Sequence, residues 1–202
     1  MNARTGLRPS RTVFRFLLGI SMLMLCSHGP SALSAEGDPA AGKRRTVTCN
    51  GCHGQAAMKN VPSLAGQNPA YFIAAMIAYQ DGVRSHATMR DVAKAWSMQD
   101  LKNFAAWYAE PLAPAVDPPA GNAPPAAARC ATCHGADGRE TATPDVPRIA
   151  GQKAGYLTQV LQEYRAGTRT HEVMKQQAAD LSDDDIAALA RHFSGHPGLQ
   201  VK

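Results

Sequence analysis

Cys49-Asn50-Gly51-Cys52-His53 and Cys130-Ala131-Thr132-Cys133-His134 stand 81 residues apart in a chain of 202, and the likeness of the segments downstream of them decides the fold. Val61-Pro62-Ser63-Leu64-Ala65-Gly66-Gln67 returns as Val146-Pro147-Arg148-Ile149-Ala150-Gly151-Gln152, now displaced by 85. That offset persists through Tyr71 and Tyr156, Tyr79 and Tyr164, Gly82 and Gly167, Arg84 and Arg169, His86 and His171, Met89 and Met174, and Ser97 and Ser182. A match held at one offset over so many positions marks a duplicated domain, whose second copy carries four extra residues just after its His.

The copies occupy residues 36–110 and 129–202. Between them, 111–128 is rich in Pro and Ala, with Pro111, Pro114, Pro118-Pro119 and Pro124-Pro125, and reads as a semi-rigid extended spacer. Each copy reads as all-α. Asn68-Pro69 offers an N-cap and a first-turn proline, after which Tyr71, Ala74, Ala75 and Ala78 share a face until Gly82. The pattern repeats from Tyr156 to Gly167. A last helix opens at Ser97-x-x-Asp100 or Ser182-x-x-Asp185, a variant capping box, and continues through Leu101, Phe104, Ala105 and Tyr108 or Ile186, Leu189, Ala190 and Phe193.

Residues 1–35 read as a secretory signal: Arg4, Arg8, Arg11 and Arg15 precede an apolar run from Phe16 to Cys26, with small residues after it. The apolar core is too short for a membrane span, which needs roughly 20 residues. Met24 and Leu25 are too bulky for a lipidation site at Cys26. Without this segment the 21 basic side chains fall to 17 against 16 acidic ones, so the formal charge falls from +5 to +1. The basic stripe that nucleic-acid binding requires is therefore missing. Charge differs between the halves, +2 over 36–116 and −1 over 117–202. Such a difference can orient the molecule between two partners, with Arg44 and Arg45 as the groups to reverse. Aromatics are only 6% of the chain, few large side chains for two small cores, and a buried cofactor would make up the volume.

In Cys-x-x-Cys-His the thiols lie about one helical turn apart, so both can add to the vinyl groups of one porphyrin while the adjacent imidazole reaches its iron. Cys49, Cys52, Cys130 and Cys133 are thus candidate covalent haem attachments, and His53 and His134 candidate iron ligands, for two haem c groups. A thioredoxin-like pair would need a βαβ pattern that the sequence lacks. A zinc site shared by the two pairs leaves the His after each unexplained, and two intervening residues in a helix suit a structural disulfide poorly.

For the sixth iron ligand, the second copy beyond the linker contains one methionine, Met174, whose register mate is Met89. Met58, Met76 and Met98 have no such mates and read as core or surface residues. Recurrence at matched positions favours Met89 and Met174 as ligands over ordinary packing. His86 and His171 are also paired, three residues earlier, and stand as the bis-His alternative. A thioether ligand favours ferrous iron and a raised potential, and filling both axial positions leaves no open site for a substrate.

These residues resemble the class I cytochromes c of the two-haem cytochrome c4 type, through the repeated Cys-x-x-Cys-His-Gly, Pro-x-Leu/Ile-Ala-Gly-Gln, Tyr, Gly-x-Arg, Met and terminal helix over most of 36–196. The resemblance implies two tandem class I cytochrome c domains facing one another across a pseudo-twofold axis. It implies that the carbonyls of Pro62 and Pro147 accept hydrogen bonds from His53 and His134. It also implies a periplasmic electron carrier rather than an enzyme, often held near the inner membrane. Its donor would be a quinol-oxidising complex or a dehydrogenase and its acceptor a terminal oxidase. The alternatives are a dedicated electron-transfer subunit of a periplasmic dehydrogenase and, against the paired methionines, a dihaem peroxidase. One departure falls in the first copy, where Gly54-Gln55-Ala56-Ala57 replaces Gly135-Ala136-Asp137-Gly138.

Overall fold

In a computed structural model of the chain, residues 37–109 and 122–200 are described; the signal segment and most of the Pro-rich spacer lie outside them. The described residues form helices and no strand, with one isolated antiparallel bridge between Ala65 and Gln200. The first copy contains α1 (Pro39–Arg45), α2 (Asn50–His53), α3 (Pro69–Gln80), α4 (Ala87–Lys94) and α5 (Met98–Tyr108). The second contains α6 (Ala127–His134), α7 (Ala154–Ala166), α8 (Glu172–Ala178) and α9 (Asp183–Gly195). α6 begins two residues inside the stretch read as spacer.

Each terminal helix starts as its sequence dictates. Ser97 and Ser182 accept from the backbone N–H of Asp100 and Asp185, and each aspartate accepts in return from the serine N–H, so both capping boxes close. Leu101, Phe104, Ala105 and Tyr108 are buried in the first core, and Ile186, Leu189, Ala190 and Phe193 in the second. α3 departs from its expected face. Its buried residues are Phe72, Met76 and Tyr79, whereas Ala74 is exposed. The heavier side chains at i, i+4 and i+7 win the core because each buries far more apolar area than alanine. Their mates Leu157, Leu161 and Tyr164 pack in the second core.

The loop after each motif is tied to its own terminal helix in the same way: Gly66 N donates to Tyr108 O at 2.7 Å, and Gly151 N to Phe193 O at 2.9 Å. The chain end stitches both loops together, Leu199 N donating to Ala150 O and Gln200 N to Ala65 O, at 2.8 and 3.0 Å.

α1 packs against α5 and has no matching helix among the described residues of the second copy. Its close approach depends on Gly42, where a Cβ would collide with the Asn103 carbonyl and the Trp107 side chain. Intrinsic propensity alone would make Gly42→Ala stabilising in a helix by up to about 1 kcal/mol. The collision reverses the sign, and thermal unfolding is expected to show a loss of about 1–3 kcal/mol, the usual cost of overpacking.

Candidate functional site

α2 and α6 carry the two motifs, and helical spacing puts Cys49 with Cys52, and Cys130 with Cys133, one turn apart on a shared face. None of the four is paired in a disulfide. Burial pushes the Cys49 and Cys130 thiols up, opposite to the depressed pKa of a reactive redox cysteine. Among the described residues no three Cys, His, Asp or Glu side chains converge as a metal cluster would require.

Each motif histidine is held in the same manner. Nδ1 of His53 donates to the Pro62 carbonyl and Nδ1 of His134 to the Pro147 carbonyl, both at 2.8 Å. A carbonyl oxygen can only accept, so the proton sits on Nδ1 and the Nε2 lone pair is free for a metal. Burial, working against that hydrogen bond, lowers both imidazoles below the ordinary histidine range and keeps them neutral at pH 7, the form that binds iron.

The two other paired histidines have a different role. His86 and His171 are the N-caps of α4 and α8, and Nδ1 of each accepts from the N–H of Met89 or Met174 at 3.3 Å. A neutral ring that accepts at Nδ1 carries its proton on Nε2 and has no lone pair left for iron. Each ring also meets a tyrosine edge-on, Tyr79 at 6.4 Å and Tyr164 at 6.3 Å between centroids. Capping thus accounts for a recurrence that the sequence offers as possible ligation. Met89 and Met174, three residues into the capped helices, are partly buried against the two cores. Met58 and Met98 are exposed and Met76 is a core residue.

The halves meet through matched residues. Tyr71, Arg84, Tyr156 and Arg169, two register pairs, form one cluster in which Arg84 Nη2 donates to the Tyr156 hydroxyl at 2.7 Å. Burial pushes the Tyr71 hydroxyl up to about 12, while the two guanidiniums outweigh burial at Tyr156 and draw it down. Arg84 lies over Tyr79 and Arg169 over Tyr164, at 4.6 and 5.0 Å. Sequence reasoning matches these residues without giving them a role. Asn68 occupies the N-cap position of α3, yet its side-chain amide donates across the interface to Thr141 Oγ1 and Val146 O, at 2.8 and 2.6 Å.

The loops after the motifs explain the departure between the copies. In the second, Gly138 takes φ 80° and its carbonyl accepts from Ile149 and Ala150; a Cβ there would strike the Ala150 backbone and Phe193. The shorter first loop is closed from the other half, Lys153 Nζ donating to the carbonyls of Gln55 and Met58 at 2.6 and 3.1 Å.

A family model for cytochrome c matches residues 120–194. Cytochrome c4 of Pseudomonas aeruginosa is 32% identical over 180 residues, which span 80% of this chain and 90% of that protein. The chain belongs to the cytochrome c4 family. The crystal structure of reduced recombinant cytochrome c4 from Pseudomonas stutzeri superposes with a TM-score of 0.66 at 27% identity, covering 79% of this chain and 99% of that one. A further relative, the thiosulfate dehydrogenase electron acceptor of Stutzerimonas stutzeri, is 44% identical over 77 residues, 38% of this chain and 36% of that protein. As a cytochrome c4, this chain is an electron carrier with two covalently bound haem c groups, and its fold is that of class I cytochromes c.

Proposed function

We propose that this cytochrome c4 is an exported carrier whose haems are ligated by His53 with Met89 and by His134 with Met174, and which passes electrons in the periplasm from a quinol-oxidising complex toward a terminal oxidase. The observation that carries the ligation is the division of labour among the paired histidines: two present a free Nε2, and two spend their Nδ1 capping the helices that bear the methionines. When bound, each haem supplies an iron that cycles by one electron between ferric and ferrous states. Cys49, Cys52, Cys130 and Cys133 anchor it, and Pro62 and Pro147 fix the imidazole tautomer. Arg84 has a buried Nε with no partner, a donor that a haem propionate would satisfy. Thioether ligation raises the potential and closes the iron to substrates, which suits a carrier and not a peroxidase. The domain limits match the repeat: a signal over 1–35, haem domains over 36–110 and 129–202, and a spacer between them. No described helix is long and apolar enough to cross a membrane.

The second reading is a dedicated acceptor for a periplasmic dehydrogenase, favoured by the thiosulfate dehydrogenase electron acceptor among the relatives. Stopped-flow reduction separates the two. Quinol with a purified quinol-oxidising complex is expected to reduce the protein faster than thiosulfate with thiosulfate dehydrogenase does, and the reverse order would favour the second reading. Arg44 is the better residue for testing charge-guided docking, because Arg45 is already paired with Asp100 and stacked on Trp96 at 4.9 Å. Arg44→Glu is expected to slow one partner reaction more than the other; equal slowing would contradict orientation by charge.

A further inference from the structure

Gln67 and Gln152, 85 residues apart, are both more than nine-tenths buried, and each grips the backbone of the opposite half. Gln152 Oε1 accepts from the Ser63 N–H at 2.9 Å, and its Nε2 donates to the Ser63 carbonyl at 3.0 Å. Gln67 does the same to Arg148, with Oε1 accepting from its N–H at 2.9 Å and Nε2 donating to its carbonyl at 3.0 Å. Ser63 and Arg148 are register mates, and each comes directly after the proline whose carbonyl holds a motif histidine.

The Pro62 carbonyl and the Ser63 N–H are the two ends of one planar peptide unit. One end accepts from His53 and the other donates to Gln152, so a continuous chain runs from the imidazole through the peptide to an amide of the other domain. Hydrogen bonds in such a chain polarise one another, and an acceptor at the N–H end makes the carbonyl end a better acceptor. A better acceptor draws on the Nδ1 proton, raises the basicity of the imidazole and stabilises ferric iron on its far side.

We propose that Gln67 and Gln152 are cross-domain positioning residues, each orienting and polarising the iron-ligating histidine of the opposite half. Gln152 acts on His53 and Gln67 on His134, so docking of the domains tunes both potentials downward. The proposal rests on ligation by His53 and His134.

The test uses the full dihaem protein carrying Gln152→Met or Gln67→Met, which keep the side chain's length and lose its hydrogen bonds. Both haem potentials are followed by NMR redox titration, with resonances assigned through Met89→Ala and Met174→Ala. The expected pattern is crossed. Gln152→Met raises the potential of the His53 haem and moves the His53 Nδ1 proton resonance upfield, with the other haem unchanged; Gln67→Met does the converse. Gln152→Asn, whose amide is withdrawn by one methylene, shifts the same haem in the same direction by less, and serves if the Met variant fails to fold. Equal shifts of both haems, a shift confined to the mutated half, or no shift overturns the proposal. A parent spectrum without strongly haem-shifted ring-proton resonances from both His53 and His134 would instead overturn the ligation beneath it.

Discussion

Met174→Ala is expected to leave both haems attached while lowering the potential of the second by on the order of 0.1–0.3 V, a fraction of the roughly 0.8 V that axial ligands span. Thioether sulfur is soft and stabilises ferrous iron, and water or hydroxide in its place stabilises ferric iron. Met174 is partly buried against the core that contains Leu157, Tyr164 and Phe193, so alanine also leaves a space into which water can reach the metal. The change should be confined to one site. Potentiometric titration of the variant should show one component displaced and one at the parent value, and the displaced iron should acquire peroxide reactivity that the parent lacks. A parent-like spectrum and potential would mean that another group binds the iron. His171 is poorly placed for that part, because its Nδ1 caps the helix that carries Met174.

Cys133→Ala is expected to act earlier, on assembly. The second half closes its core around Leu157, Tyr164, Ile186, Leu189 and Phe193, with Cys130 and Met174 packed at its margin, and a covalent haem would complete it. Losing one thioether anchor weakens the cross-link that makes the cofactor part of the fold, so the mass of the purified chain should fall by about one haem and the second half should lose stability. The first half has its own motif, core and terminal helix and should retain its haem. A variant with the full two-haem mass and parent stability would show that Cys130 alone suffices.

Much of this architecture is legible in the sequence, because duplication lets each position vouch for its mate. The terminal helices are readable through Ser97, Asp100, Ser182 and Asp185, whose capping chemistry is local and needs no knowledge of the rest of the chain. α4 and α8 are harder to read. They are short, and their N-caps are histidines, which in a haem protein look like ligands before they look like caps. The buried face of α3 lies one position away from the one its alanines suggest, because alanines fit either face and only the tertiary packing of Phe72, Met76 and Tyr79 decides between them. Gln67, Gln152 and Asn68 are visible as recurrent or capping residues, but their partners lie 73 to 89 residues away in the other half. No local pattern signals a contact of that range.

The central claim, two haems each bound by histidine and methionine in a carrier closed to substrates, is tested most directly by a quantitative absorption spectrum of the oxidised protein together with a haem count per chain. Two haems with the near-red band of methionine-bound ferric haem at full intensity for both is the result expected. Two haems with that band halved or missing would contradict it, because at least one iron would then be open or otherwise ligated.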